Sequence, residues 1–344
     1  MCRHICPIGN ATGQERNTAR ARALALSLVE RGAEPLSGVA DNVYECALCG
    51  ACTKECTTGW DPVKFTKEVR TELAMNGETP EYINKLIENI EKTGNVYGKT
   101  EYCPDLKKEI EALPKEAETL LFLGKDAIYK SPKSAINAIK LLNKAGVNFT
   151  VLADEPDSGY AMDTLVGAAE ETKEITKKCA QKLNYKKIVA YDPADAKTFL
   201  REYKEWGVEL KAEVVTFTAF VAELIESGTL KVKNSGKALT FQDPSLLSRD
   251  LEETEPARKI INACGTNREM LLFGKDTMLA GSLIMNEYMP CVMATVAKNR
   301  WTNAVNMEAE TVVTASPAEY EMLLSVKPEG VELKTIEEVV LECL

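Results

Sequence analysis

The stretch that decides the organisation of this chain reads Cys46-Ala-Leu-Cys49-Gly-Ala-Cys52-Thr-Lys-Glu-Cys56. Gly50 eases a tight turn inside it, so the first three thiols can converge on one point. In runs with this C-x2-C-x2-C-x3-C spacing, three cysteines bind a [4Fe-4S] cluster and the last one serves a different cluster. The fourth ligand of the first cluster must therefore come from elsewhere in the chain.

A candidate for that ligand lies near the start, in the stretch Cys2-Arg-His-Ile-Cys6-Pro7. It reads as the second half of the same kind of motif, including the proline that follows the last cysteine. A zinc site is the alternative, although zinc ribbons use two separated C-x2-C pairs. Disulfides are not expected, because nothing in the sequence indicates secretion. We predict one [4Fe-4S] cluster with these ligands: Cys6, Cys46, Cys49 and Cys52.

The net charge of the chain limits the kinds of partner that it can bind. The chain has 344 residues, a formal net charge of −10 and a pI near 5.1, which disfavours nucleic acid or an anionic membrane surface as a partner. No apolar stretch approaches the roughly 18 residues of a membrane helix, and no signal-peptide pattern is visible. We expect a cytoplasmic protein. The remaining cysteines are scattered singly, as is typical of reduced thiols: Cys103, Cys179, Cys264, Cys291 and Cys343.

The segments around the cysteine runs have helix signals. Residues 16–31 are rich in Ala and Leu, follow a possible N-cap at Thr18 and end before Gly32. A second helix is predicted from Asp61-Pro62 to Asn76, with proline at its first position. The cysteine runs are thus predicted to be turns in a helical, ferredoxin-like domain over residues 1–77. Three arginines either face the anionic cluster or form an ordinary solvated face: Arg16, Arg20 and Arg22.

A charged connector over residues 78–117 precedes a change in the sequence pattern. Cys103 in this connector is either a ligand of a second cluster or, as an isolated cysteine, a bystander. Short apolar runs then alternate with amphipathic segments, including one long predicted helix over 161–183, which indicates α/β units with mostly parallel sheets. The layout repeats, and we predict two modules over 118–228 and 235–344. Their predicted strands are 119–124, 147–152, 187–191, 213–217, 237–241, 269–273 and 311–314.

This layout resembles the iron–sulfur proteins of the heterodisulfide reductase type, a family that includes the iron–sulfur subunits of anaerobic glycerol-3-phosphate dehydrogenase and of glycolate oxidase. The resemblance covers almost the whole chain and rests on these stretches: Cys2–Gly9, Cys52–Pro62, Leu141–Val147 and Gln242–Ser245. It implies a two-cluster ferredoxin domain followed by two cysteine-rich modules. It also assigns Cys6 to the cluster of the main run and leaves Cys2 and Cys56 as an incomplete second set. His4, between them, is either a substitute ligand or an ordinary turn residue.

The modules depart from that family at every aligned cysteine motif. Cys-Cys-Gly is replaced by Asp157-Ser158-Gly159, and Cys-Pro-x-Cys by Asp192-Pro-Ala-Asp195 and by Ser316-Pro-Ala-Glu319. Clusters need soft thiolate ligands, so we expect the modules to bind none. Their aspartates either bind a hard cation such as Mg²⁺ or are ordinary solvated loop carboxylates.

Together these features predict an electron-transfer subunit that performs no catalysis by itself. The chain shows neither a dinucleotide fingerprint nor a P-loop, so no flavin or nucleotide is predicted in it. The resemblance implies a hetero-oligomeric flavoprotein complex, with an FAD-linked oxidase subunit for a 2-hydroxy acid or glycerol phosphate, or an electron-transferring flavoprotein, as electron partner.

Two other functions remain open. In the first, the chain is a scaffold subunit with a structural cluster, and in the second, the modules act with another cofactor. Four methionines could form a partner surface for the scaffold, although core filling explains them equally well: Met278, Met285, Met289 and Met293.

Overall fold

The computed structural model describes residues 2–344, and the first third of that range folds into helices joined by turns. Thr18 accepts a hydrogen bond from the N–H of Ala21, and Asp61 accepts from Val63, so the helices start at the predicted caps. The helices are α1 (Cys2–Ile5), α2 (Pro7–Thr12), α3 (Ala19–Glu30), α4 (Ala40–Tyr44), α5 (Ala51–Lys54), α6 (Pro62–Met75), α7 (Glu81–Thr93) and α8 (Pro104–Glu111), with short 3₁₀ turns at Glu15–Asn17 and Leu36–Val39.

Strands and helices alternate from residue 119 onward. The first set comprises β1 (Thr119–Phe122), α9 (Lys125–Tyr129), α10 (Pro132–Lys144), β2 (Phe149–Thr150), α11 (Tyr160–Val166), α12 (Glu170–Lys182), β3 (Lys187–Ala190), α13 (Pro193–Lys197), α14 (Tyr203–Glu205), β4 (Glu213–Thr216) and α15 (Phe217–Glu226). The second comprises β5 (Ala238–Gln242), α16 (Glu255–Cys264), β6 (Thr266–Asn267), α17 (Leu283–Asn286), α18 (Pro290–Val305), β7 (Thr311–Thr314), α19 (Pro317–Ser325), β8 (Glu332–Thr335) and α20 (Ile336–Glu342). A π-helical turn follows α13 at Thr198–Glu202, another follows β5 at Leu246–Asp250, and a 3₁₀ turn lies at Gly274–Asp276.

Each set builds a four-stranded sheet in which every pair of strands is parallel. The strand orders are β2-β1-β3-β4 and β6-β5-β7-β8, so the second sheet repeats the plan of the first. Leu120 pairs with Ile188 in one sheet, and Thr240 pairs with Val312 in the other. Parallel strands require crossover connections, and the helices that supply them cover the sheets. The mixed helix-and-sheet architecture with α/β sheets is therefore confirmed.

The long helix predicted over 161–183 is two helices, α11 and α12, separated at Gly167. Gly167 has a φ of 65°, and a Cβ there would lie 2.8 Å from the carbonyl oxygen of Lys67 on α6. The hydroxyl of Tyr44 also donates to the carbonyl of Leu165 at 2.9 Å. The chain breaks at Gly167 because the end of α11 packs directly against the N-terminal helices.

The strand predicted over 269–273 is wrong. The edge strand of the second sheet is β6, which ends at Asn267, and the following residues leave the sheet. Leu271 is 77% exposed, and the Glu269 carboxylate binds Arg258 at 2.9 Å instead of continuing the edge. This segment has the apolar sequence pattern of a strand, but Leu271 within it is exposed. The sequence analysis also missed β8.

Three of the four methionines belong to the core or pack against it. Met285 and Met293 are buried in one apolar cluster with Ile8 of α2, and Met289 packs against that cluster. This core joins the N-terminal helices to the second sheet's helices, which supports the core-filling alternative. Across residues 2–344, no helix combines the length and the apolar character needed to cross a bilayer.

We predict that Gly124→Ala costs far more stability than Gly146→Ala. Both glycines have positive φ, 87° and 67°, so either substitution adds about 1–2 kcal/mol of backbone strain. At Gly124, the new Cβ would also lie 2.8 Å from Asp192 Cβ, which adds about 1–3 kcal/mol of overpacking, whereas nothing lies within 4 Å at Gly146. Chemical denaturation measures both, and equal losses would contradict the close packing at the end of β1.

Candidate iron–sulfur site

The cysteine loop, residues 46–52, joins α4 to α5 and reverses the chain within a few residues. Leu48 has a φ of 52° and Gly50 a φ of 74°. A left-handed conformation is uncommon for leucine and persists only where its surroundings hold it. These two residues curl the main chain around the side chains of Cys46, Cys49 and Cys52.

Cys6, from the N-terminal helices, lies near the cysteine loop. It is the N-cap residue of α2, and its Sγ accepts a hydrogen bond from the N–H of Gly9 at 3.4 Å. Burial, opposed by that hydrogen bond and reinforced by the charges of Cys49 and Cys46, raises the pKa of the Cys6 thiol to about 11. Cys6 therefore lies within electrostatic reach of the cysteine loop.

Cys52 completes the group. Burial raises the pKa of its thiol, and the charges of Cys46, Cys49 and Cys6 raise it further. The structure thus brings together the four cysteines that the sequence analysis named as ligands. Thiolates held this close repel one another, so a cationic metal core would stabilise them.

Cys46 behaves differently from the other three thiols. Burial alone would raise its pKa, yet the pKa of Cys46 lies below its ordinary value. The guanidinium groups of Arg22 and Arg70, the N–H of Leu48 and the hydroxyl of Thr66 together outweigh burial and stabilise the thiolate. Of the four candidate ligands, Cys46 is consequently the thiol that loses its proton most readily.

Two arginines fix the loop's main chain from the N-terminal helices. Arg22 of α3 is buried and donates to the carbonyl oxygens of Asn42 at 3.1 Å and Glu45 at 3.3 Å. Arg70 of α6 is 0% exposed and donates from Nη2 to the carbonyl of Cys46 at 2.7 Å. Both guanidinium groups therefore shape the entrance to the loop and place positive charge beside it.

A third arginine, from the turn after β5, contacts the cysteine loop. Arg249, in the π-helical turn after β5, donates from Nε to the carbonyl of Cys49 at 2.8 Å and from Nη1 to the carbonyl of Thr277 at 2.7 Å. Burial raises the pKa of Cys49, and the Arg249 charge opposes that shift. A side chain 200 positions away in sequence thus holds the middle of the cysteine loop.

Donor groups remain without partners beside the thiols. Within residues 2–344, Arg70 Nε and Arg249 Nη2 are buried and have no hydrogen-bond partner. A buried cationic N–H without an acceptor is costly. A cluster bound by four thiolates is an anion with sulfur acceptors, so these nitrogens and the four thiols fit an iron–sulfur group.

The spacing of the thiols does not match a single metal ion. Zinc holds its cysteine sulfurs at about 2.3 Å, which requires the four sulfurs to be close to one another. In the part of the chain from residue 2 to 344, no three side chains of His, Cys, Asp or Glu lie close enough to hold one ion. A cluster keeps its cysteines further apart because iron and sulfide atoms lie between them.

The other predicted N-terminal candidates lie outside this group. Helix α1, which begins at Cys2, packs against α5, just before Cys56. Hydrogen bonds from the Thr58 hydroxyl and then from nearby backbone N–H groups hold the pKa of Cys56 below its usual range. His4 is exposed, and Cys103 packs against the core of the first sheet, so Cys103 is placed as a bystander.

The aspartates of the first module are largely buried, so the expectation of solvated loop carboxylates is wrong. Asp192 is 2% and Asp195 is 6% exposed, and Asp195 accepts a hydrogen bond from the hydroxyl of Ser158. Burial, followed by the charge of Asp126, holds the pKa of Asp192 well above its usual range. Asp157 is half-buried beside them. They form a packed carboxyl cluster.

Sequence reasoning named Arg22 among its candidates but missed Arg70 and Arg249. Arg70 carried a signal, because it falls on the buried stripe of α6 with Thr66 and Leu73 at helical spacing. Arg16 instead pairs with Glu45 at the surface. For Arg249 the sequence offers no comparable signal, because its contact is non-local.

Comparison with known proteins agrees with this chemistry. Residues 1–60 match the 4Fe-4S dicluster domain. The probable iron-sulfur-binding oxidoreductase FadF of Bacillus subtilis is 28% identical over 242 residues, which cover 65% of this chain and 34% of that protein. One subunit of the dihydromethanophenazine:CoB–CoM heterodisulfide reductase of Methanosarcina acetivorans is 27% identical over 236 residues, or 64% of this chain and 57% of that protein.

A third relative is the EtfAB:quinone oxidoreductase of Syntrophomonas wolfei, 27% identical over 251 residues, which cover 65% of this chain and 34% of that protein. The aligned region thus spans between 34% and 57% of the length of these relatives. Their names describe oxidoreductases or a reductase subunit, and the name of FadF also describes iron–sulfur binding, with which the cysteine motifs of this chain agree. Residues 1–60 thus match a 4Fe-4S dicluster domain, and the chain is similar to iron–sulfur-binding subunits of the heterodisulfide reductase type.

Proposed function

We propose that this chain relays single electrons through one [4Fe-4S] cluster bound by Cys6, Cys46, Cys49 and Cys52. The observation that carries the proposal is the convergence of these thiols beneath cationic N–H groups that have no partner among residues 2–344. The dicluster description of the matching family leaves room for a second cluster. Cys2 and Cys56 supply only part of a ligand set for it.

The residues around the thiols suit one-electron chemistry. When bound, a [4Fe-4S] group accepts or donates one electron at a potential set by charge, hydrogen bonds to sulfur and burial. Arg22, Arg70 and Arg249 place fixed positive charge beside the thiols, which would favour the reduced state of a cluster bound there. Because their guanidinium groups are already held by main-chain carbonyls, they need little rearrangement when the charge changes.

The electron partner that we propose is a flavoprotein: an FAD-linked oxidase subunit for a 2-hydroxy acid or glycerol phosphate, or an electron-transferring flavoprotein. The name of one relative, an EtfAB:quinone oxidoreductase, supports a flavoprotein link. The eleven unpaired cysteines of this chain suit a reducing compartment such as the cytoplasm, in a hetero-oligomer with such a flavoprotein. We also propose that the two α/β modules over 118–228 and 235–344 serve as the frame of the cluster site.

A scaffold function is the second candidate. It is favoured by the bond between Arg249 and the carbonyl of Cys49, which ties the second module to the cysteine loop. In that case the cluster holds the modules together and does not change its redox state during turnover.

We predict that Cys6→Ser removes most of the iron, because three thiolates cannot complete the set of ligands. Cys103→Ser is the matched control and should keep its iron, since Cys103 packs against the first sheet's core. Iron analysis and the visible absorption of the anaerobically purified variants measure the effect. Full iron in Cys6→Ser would contradict the assignment of the fourth ligand.

We predict that Arg249→Gln shifts the cluster potential to more negative values. The reduced cluster carries one more negative charge than the oxidised one, so removing a neighbouring cation destabilises the reduced form. Arg249→Lys should shift the potential less, and Arg268→Gln, at an exposed ion pair with Glu308, should not shift it. Redox titration followed by EPR is the measurement, and an unchanged potential in Arg249→Gln would contradict the electrostatic role.

The two candidate functions differ in one observable. An electron carrier, once reduced, should be reoxidised rapidly by an oxidised flavoprotein partner, with loss of the EPR signal of the reduced cluster. Rapid-freeze EPR of the mixture measures this. A cluster whose signal persists through turnover would favour the scaffold and contradict electron transfer.

A further inference from the structure

A cavity of about 260 Å³ lies between α2 and α18, next to the helix that Cys6 caps. Its polar lining consists of His4, Asn10, Asn299, Arg300 and Asn303, and apolar side chains form the remaining wall. No Asp or Glu of the described residues, 2–344, lines it, although the chain carries a formal net charge of −10. The cavity therefore offers hydrogen-bonding groups and a cation without a fixed negative charge.

Arg300 is the buried cation of this cavity. It is 2% exposed, and its other nitrogens are used: Nε donates to Gln242 and Nη2 donates to the carbonyl of Leu272 at 2.8 Å. Its Nη1 is buried and has no hydrogen-bond partner among residues 2–344. A guanidinium nitrogen in that condition favours an anionic acceptor from outside the protein.

The acids inside the protein do not supply that acceptor. Glu319 and Asp243 act on Arg300 by charge, yet their oxygens bond to other groups. Both oxygens of Asp243 accept from Arg258, at 2.8 and 3.0 Å. Glu319 accepts from Gln242 Nε2 at 3.0 Å. Arg300, a lining residue of the cavity, therefore keeps unused donor capacity at Nη1.

Three more side chains offer polar groups to the same space. Asn299 and Asn303 lie four residues apart on α18 and so share the face that lines the cavity, and neither makes a side-chain hydrogen bond within residues 2–344. Asn10 donates to the carbonyl of His4 at 2.9 Å, which holds both residues at the rim. Carboxamide N–H groups and an imidazole are donors that suit oxyanions.

We propose that this cavity binds a small molecule that carries a carboxylate or phosphate group. Arg300 Nη1 and the carboxamides of Asn299 and Asn303 hold the oxyanion. The apolar wall, which includes Leu279 and Val296, packs against the remainder of the molecule. This assignment does not depend on the function proposed for the cysteines.

The test is isothermal titration of the iron-loaded full chain with two probes, sodium phosphate and sodium malonate, at an ionic strength held constant with sodium chloride. We expect saturable binding of at least one probe. Binding of phosphate alone identifies a phosphate group as the preferred oxyanion, and binding of malonate alone identifies a carboxylate. Failure of both probes to bind overturns the proposal.

Asn303→Asp supplies the decisive variant, because it adds a negative charge to the cavity at a half-buried position of α18 with little change in size. It should weaken binding at least about tenfold, the scale of one lost charge-assisted hydrogen bond. Thr302→Asp adds the same charge on the same helix at an exposed residue outside the lining and should bind as the unmodified chain does. Equal affinity in Asn303→Asp and Thr302→Asp would overturn the site.

Discussion

The structure depends on guanidinium groups bonded to the main-chain carbonyls of the cysteine loop. Arg70 and Arg249 hold the carbonyls of Cys46 and Cys49, and Arg22 holds the residue before the loop. Concentrating these cations around a half-buried loop is unfavourable unless negative charge lies beside them. Under the proposed function, a cluster bound by four thiolates supplies that charge. The conformation of the cysteine loop, the ionisation of its thiols and the binding of a cluster are therefore expected to be coupled, so that each one stabilises the other two.

The same contacts show how a module without cysteine motifs of its own can contribute to the cysteine site. The second sheet sends Arg249 from the turn after β5 to the cysteine loop, and its helices share a core with Ile8 of α2. In the first module, the buried carboxyl of Asp195 accepts a hydrogen bond from the hydroxyl of Ser158. The second module therefore contacts the N-terminal site directly through Arg249.

The sequence predicted what local chemistry determines. Cysteine spacing and the N-terminal half-motif predicted four ligand thiols, and that assignment stays a prediction. Side-chain caps placed the starts of α3 and α6, and apolar runs located most strands. The prediction failed where contacts between residues distant in sequence determine the structure. Apolar residues over 269–273 imitated a strand, yet Leu271 faces solvent. The break at Gly167 follows from its contact with α6, and the role of Arg249 follows from a contact across the whole chain.

The central claim is that thiolates at the front of the chain bind one iron–sulfur cluster while the oxygen donors of the modules bind none. The most direct test is the content of iron and acid-labile sulfide in the anaerobically purified full chain. The account predicts about four of each per chain, the composition of one [4Fe-4S] group. A colourless protein without iron, or about eight iron and eight sulfide per chain, would contradict it.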